Sequence, residues 1–172
     1  MSLSTRLAER GRVDLPDIGG TRGYWNMLPE GYLDDRDLRI TLLNRPGGHV
    51  SASEGRFTFE TGDACDLVGV GDRSYDVVHS NSVVEHVGEW SNMLAYAGEV
   101  SRVADRYFVQ APNFWFPVEP HTLTRFFLWL PKPLRVVLLT RSEFGHWERQ
   151  PDVASAVVRV DSARLLDRAM FA

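Results

Sequence analysis

Apolar residues cluster in five short runs along the chain, each closed by glycine, asparagine, aspartate or proline. Residues 13–18, 38–43, 57–60, 75–79 and 106–110 have the length and punctuation of strands. Pro16 lies inside the first run and removes a backbone donor, so that run is predicted at a sheet edge or a strand start. Residues 66–72 are glycine-rich and read as loop. From Trp90, apolar positions recur at Met93, Leu94, Ala97, Val100 and Ala104, one face of a helix. The order strand, helix, strand predicts an α/β protein with a doubly wound, mostly parallel, Rossmann-like sheet and helices on both faces. A single domain over residues 1–172 is expected.

Each strand exit is polar, and in an open α/β sheet ligands bind outside the carboxyl ends of the strands. The first run leads into Asp17-Ile18-Gly19-Gly20-Thr21, whose glycines let backbone approach a ligand and whose threonine can cap a short helix closed by Pro29 and Gly31. The second ends at Asn44, before Arg45-Pro46-Gly47-Gly48. The third leaves through Gly62-Asp63-Ala64, and the fourth through Ser80, Asn81, Ser82, Glu85 and His86. Residues 57–87 therefore carry two of these exits in tandem and form the centre of the expected site.

The last third differs. Ten of the 19 Phe, Trp and Tyr residues fall between Tyr107 and Trp147, too many for a connecting loop. Residues 121–141 also carry Arg125, Lys132, Arg135 and Arg141 with no acidic residue. An aromatic-rich helical cap over about 112–150 is expected, as two short helices around Pro131-Lys132-Pro133. It could cover an apolar acceptor bearing an anionic group, the preferred reading, or touch a membrane surface. Asp161 is expected to cap a final helix with Leu165, Leu166 and Ala169 on its apolar face.

Composition narrows the function class. A formal charge of −4 and a pI near 5.7 argue against a general nucleic-acid binder. A lone cysteine, Cys65, excludes an internal disulfide and fits a reducing, cytoplasmic setting. It reads as a small buried residue, because no basic neighbour in the sequence activates it. The N-terminal residues lack a signal-peptide core, and the most apolar run, 126–139, is broken by prolines and too short to span a bilayer. No stable membrane insertion is expected. The five histidines show no ligand-like spacing, so no metal is expected.

The glycine pair after Asp17, Asn44 at the second exit, Gly62-Asp63-Ala64, and the run from Tyr75 to Glu85-His86 resemble the class I S-adenosylmethionine-dependent methyltransferases of small-molecule type. The resemblance covers roughly residues 13–125. It implies that Asp17, Gly19, Gly20 and Thr21 form the cofactor turn, that Asn44 holds the ribose, that Asp63 and the Ala64 amide hold the adenine, and that Ser80 and Asn81 complete the S-adenosyl-L-methionine site. The sequence departs from the family pattern in three places. The glycine motif reads Gly19-Gly20-Thr21-Arg22-Gly23 where the family has G-x-G-x-G, Asn44 stands where a carboxylate is usual, and the family's C-terminal strand hairpin is lacking before Ala172. The strand at 106–110 is therefore expected as an edge, covered by a second copy or another partner.

Methyl transfer from a sulfonium is a direct displacement, for which holding the acceptor in line supplies much of the catalysis. A small-molecule acceptor, methylated at oxygen, is expected, with His86 or His121 as base and Glu85 as orienting group. His79 reads as a core histidine. No Asn-Pro-Pro-Tyr or Asp-Pro-Pro-Tyr run follows the fourth strand, which argues against methylation of nucleic-acid bases. The alternative is a non-catalytic methyltransferase-like binding or interaction module. A nicotinamide-dependent oxidoreductase is disfavoured, because Gly-x-Gly-x-x-Gly is missing and no carboxylate ends the second strand.

Overall fold

A computed structural model describes residues 11–29, 31–34, 37–47, 53–118 and 120–171. The chain forms two compact units, Met1–Gln110 and Ala111–Ala172.

In the first unit, β1 (Val13–Ile18), β2 (Leu38–Asn44), β3 (Phe57–Thr61), β4 (Val78–Asn81) and β5 (Tyr107–Gln110) form one sheet in the order β3-β2-β1-β4-β5. Every pairing is parallel. The chain adds β2 and β3 on one side of β1, then crosses to add β4 and β5 on the other. Connections leaving β1 and β4 thus run in opposite directions and leave a crevice above their carboxyl ends. This is the doubly wound α/β architecture expected.

Helices cover both faces. Side chains alternate between faces along a strand. Leu15, Ile40, Leu42 and Phe57 form one buried face with Trp25, which lies on the four-residue helix α1 (Arg22–Trp25). On the opposite face, Ser80 lies beside Tyr96 of helix α2 (Trp90–Val103). Burying each of the larger apolar side chains contributes roughly 1.5–3 kcal/mol.

Four local expectations need correction. β1 is the central strand, despite Pro16. Asp14, two residues earlier and so facing the same neighbour as Pro16, donates its N–H to the Asp76 carboxylate at 3.0 Å and accepts from Asp76 N at 3.0 Å. β4 pairs with β1 only at Asp17 and Ile18, so the missing Pro16 donor falls where the β4 ladder has not begun. β4 itself begins at Val78, later than the predicted 75, which places Ser80 and Asn81 inside the strand. On α2 the buried face is Met93, Tyr96, Val100 and Val103, while Leu94 and Ala97 are exposed, so the buried stripe runs through Tyr96 at i, i+3, i+7 and i+10 spacing. Thr21 stands at the N-cap of α1 but makes no side-chain cap hydrogen bond.

In the second unit a 3-10 turn, Phe127–Trp129, precedes α3 (Lys132–Arg141), whose first turn accepts Pro133 because the donor it lacks would be unpaired there. Here the two expected cap helices are one turn and one helix. Helix α4 (Val153–Asp161) packs on α3 around Phe127, Val136, Leu139, Trp147, Ala156 and Val160. Asp161 does not cap a final helix: it ends α4, and its carboxylate accepts from Lys132 Nζ at 2.6 Å. Asp152 caps α4 through Ser155 N at 2.8 Å, and Asp167 begins the closing turn α5 (Arg168–Phe171) by accepting from Ala169 N and Met170 N. Trp115, Phe116, Phe126 and Trp129 are exposed. Among the described residues no helix is long and apolar enough to cross a membrane.

Candidate functional site

The carboxyl ends of β1, β2, β3 and β4 enclose a crevice of about 220 Å³ in the first unit. Ile18, Leu43, Ala64, Val83 and Val87 give it apolar walls, and Asn44, Arg45, Ser82 and His86 give it polar ones. It is smaller than the roughly 300–1,000 Å³ of pockets that enclose a whole drug-sized ligand. It encloses only part of a ligand of that size.

Two glycines shape the β1 exit for different reasons. Gly19 has φ +71°, a conformation L side chains rarely adopt, and its N–H donates to Leu43 O at 2.8 Å. An added Cβ there would stand 2.3 Å from Val83 Cγ2, so glycine allows the exits of β1 and β4 to meet. Gly20 is pressed against Asp17 instead, where a Cβ would lie 1.8 Å from the carboxylate oxygen Oδ2.

Asp17 is nearly fully buried, and both oxygens are engaged. Trp25 Nε1 donates to Oδ2 at 2.7 Å, and Oδ1 lies 2.7 Å from His79 Nδ1. The β1–β4 register sets Asp17 directly beside His79 on the same sheet face, and the His79 ring is flanked by Tyr24, Trp25 and Phe108. His79 is thus a satisfied core histidine. Asp17 is aimed into the packing under α1 and does not line the crevice.

At the β2 exit, Asn44 Nδ2 donates to Gly20 O at 2.9 Å, tying β2 to the glycine turn and leaving the amide oxygen as an acceptor. At the β3 exit, exposed Asp63 accepts from Cys65 N at 2.9 Å, an aspartate-stabilised turn, and Ala64 is buried against the crevice. The Cys65 thiol is pushed up by burial and by the Asp63 carboxylate, with Arg45 pulling in the opposite sense. It is therefore unsuited to nucleophilic attack near neutral pH.

At the β4 exit the side chains divide. Ser80 is buried, donates to Ile18 O at 3.1 Å and points toward α2. Asn81 accepts from Ser82 Oγ at 3.2 Å. Glu85 and His86 sit on the 3-10 turn Val84–His86, Glu85 fully buried and His86 exposed at the crevice wall. Glu85 Oε1 is 4.0 Å from His86 Nε2. The Tyr96 phenol is pushed up to about 12 by burial, an effect that the Ser80 hydroxyl partly offsets and the Glu85 carboxylate reinforces.

His121 belongs to the second unit. Its carbonyl accepts from His146 N at 2.8 Å, and its ring centroid lies 6.3 Å from that of Trp147. Of the other candidates, Gly19, Asn44, Ala64 and His86 line the crevice together, whereas Asp17, Gly20, Thr21, Asp63, Ser80, Asn81 and Glu85 do not. Gly62 and Ser82, expected at the β3 and β4 exits, line it as well, whereas Leu43, Arg45, Val83 and Val87 are lining groups the sequence reading did not single out. Arg45 could have been found as the residue immediately following the predicted exit at Asn44.

No family model and no curated protein matches the sequence. Among solved structures, the chain is similar to a methyltransferase candidate from an antibiotic biosynthesis pathway of Anabaena variabilis (19% identity, TM-score 0.48, 75% of this chain and 53% of that one). It is also similar to a methyltransferase candidate from Bacillus halodurans (12%, TM-score 0.45, 93% and 68%). A third is an arsenic(III) S-adenosylmethionine methyltransferase from Chlamydomonas reinhardtii (17%, TM-score 0.42, 86% and 51%). The chain spans about half the length of two of these three proteins.

Proposed function

We propose that the crevice binds S-adenosyl-L-methionine by its nucleoside end and that the chain transfers the methyl group to a small-molecule acceptor, at oxygen. The observation that carries this reading is the convergence of the β1, β2, β3 and β4 exits on one partly apolar crevice at the switch point of the sheet. The lining fits a nucleoside: Ala64, Leu43 and Val83 offer apolar surface for a planar base, and the Asn44 amide oxygen offers an acceptor to a ribose hydroxyl. Asp63, on the exposed turn beside Ala64 and outside the crevice lining, reaches the adenine amino group at the rim through the oxygen that Cys65 N does not use. Asp17 and Gly20 act from beneath by fixing the glycine turn, and Thr21 begins the helix that covers that packing. Ser80 and Asn81 set the β4 exit.

The cofactor supplies an electrophilic methyl group on a sulfonium. His86, exposed at the crevice wall, accepts the proton of the acceptor hydroxyl, and the buried Glu85 carboxylate, 4.0 Å from its Nε2, favours the imidazolium that forms. His121 is the second candidate base.

A calorimetric titration of the purified chain with S-adenosylhomocysteine, with NAD as control ligand, tests the reading. Micromolar binding of the first alone supports it, and no binding by a folded chain sinks it. A second reading, a non-catalytic interaction module, is favoured by the engagement of both Asp17 oxygens and by the β5 edge, where Tyr107 and Phe108 are more than half exposed. Retained folding without cofactor binding would select that reading.

A further inference from the structure

The β2 exit has an unusual polarity for a site that holds a ribose. Residues 44–47 read Asn-Arg-Pro-Gly, with no carboxylate to accept hydrogen bonds from ribose hydroxyls. Asn44 is neutral, and one of its two amide N–H groups donates to Gly20 O. Arg45, the next residue, lines the crevice, is exposed, and among the described residues has no ion-pair partner. Its charge is felt on the neighbouring turn, where it lowers the Cys65 thiol against the two larger upward effects of burial and Asp63. Asp63 on that turn is committed through one oxygen to Cys65 N and forms no ion pair with Arg45. An exit of this kind offers five fixed guanidinium donors where a carboxylate would offer only acceptors.

A ribose hydroxyl can donate or accept, so it tolerates either exit. A phosphate monoester only accepts, is repelled by a carboxylate, and pairs bidentately with guanidinium. In doubly wound nucleotide-binding folds, exchange of the acidic residue at this strand end for a nearby arginine is what admits a phosphorylated ribose. We propose that Arg45 makes the crevice a site for adenosine carrying a phosphate on its ribose 2′ or 3′ oxygen. The inference rests on the nucleoside reading of the crevice but not on methyl transfer. Arg45 is then the residue that sets ligand class: the ribose phosphate sits on its guanidinium at the β2 exit, and the base lies toward Ala64.

The test is calorimetric titration of the full chain with adenosine 2′,5′-bisphosphate, adenosine 3′,5′-bisphosphate, adenosine 5′-phosphate and S-adenosylhomocysteine, for the wild type and for Arg45→Gln and Arg45→Glu. Folding of each variant is checked by circular dichroism. The expected result is that one bisphosphate binds at least about tenfold tighter than adenosine 5′-phosphate, as a charge-assisted bidentate pair provides. The 2′ and 3′ arms identify which oxygen carries the phosphate. The preference should fall to about twofold or less in Arg45→Gln, reverse in Arg45→Glu, and shrink in the wild type as salt is raised. Equal affinity for the bisphosphates and the 5′-phosphate, or a preference that survives in both folded variants, overturns the proposal. Binding of S-adenosylhomocysteine without a bisphosphate preference overturns it while leaving the methyltransferase reading intact. A bisphosphate preference without S-adenosylhomocysteine binding does the reverse. Failure of all four ligands on folded protein overturns both.

Discussion

Substituting Gly19 by alanine should be among the most damaging changes in the first unit, and its cost separates into two parts. Gly19 has φ +71°, where an L side chain costs about 1–2 kcal/mol. The new Cβ would stand 2.3 Å from Val83 Cγ2, and overpacking of this kind costs roughly 1–3 kcal/mol. Together these give about 2–5 kcal/mol, a large share of the roughly 5–15 kcal/mol that stabilises a domain. Only the second part depends on Val83. In the double variant Gly19→Ala/Val83→Ala the clash is gone and the φ cost remains, so the two substitutions should couple by about 1–3 kcal/mol. Gly23→Ala is the control: it lies within α1, has no positive φ, and its nearest contact would be Thr21 Oγ1 at 3.8 Å. It should be neutral or stabilising by up to about 1 kcal/mol. The assay is urea unfolding followed by far-UV circular dichroism, with midpoints compared at unchanged slope. A loss below about 0.5 kcal/mol in Gly19→Ala, or strict additivity with Val83→Ala, would refute the idea that glycine is needed here for both conformation and space.

Three other outcomes are expected. His79→Phe leaves the buried Asp17 carboxylate with Trp25 alone and should cost about 3–5 kcal/mol, while Asp17→Asn in the same background should recover part of it; no recovery in the double variant counts against a charge-based origin. The Tyr96 phenol, raised to about 12 from an ordinary value near 10, stabilises the fold fully below pH 10 and loses that contribution as pH climbs toward 12, so the wild type should lose about 2–3 kcal/mol over that window relative to Tyr96→Phe; parallel stability curves would contradict this. Asp63→Ala should weaken S-adenosylhomocysteine binding, whereas His86→Ala and His121→Ala should chiefly slow turnover, by roughly 100-fold or more at the base itself; unchanged affinity in the first, or unchanged turnover in both histidine variants, goes against those assignments.

Strand existence and order of appearance were legible because each buried strand is a short apolar run closed by a residue that breaks it, as with Leu43-Asn44 and Thr61-Gly62. Placement was less legible. Pro16 reads as an edge residue in isolation, and its tolerance at the centre depends on β4 starting at Val78, some 60 residues later. The helix Val153–Asp161 does carry a local signal, Asp152 before an apolar stretch, although Asp161 stands before Leu165 and Leu166 with the same spacing logic and caps nothing.

The site divides along the same line. Local chemistry in the sequence determined the glycine turn after β1, the neutral and cationic pair Asn44-Arg45 after β2, and the turn at Asp63, because each depends on residues adjacent in the chain. Only the tertiary structure decided which polar groups face the crevice. Asp17 looks like a crevice residue until β4 brings His79 beside it and α1 lowers Trp25 onto its other oxygen. A buried carboxylate must find partners, and those partners stand 8 and 62 residues away, where pairing register and helix placement, not sequence spacing, set the distance.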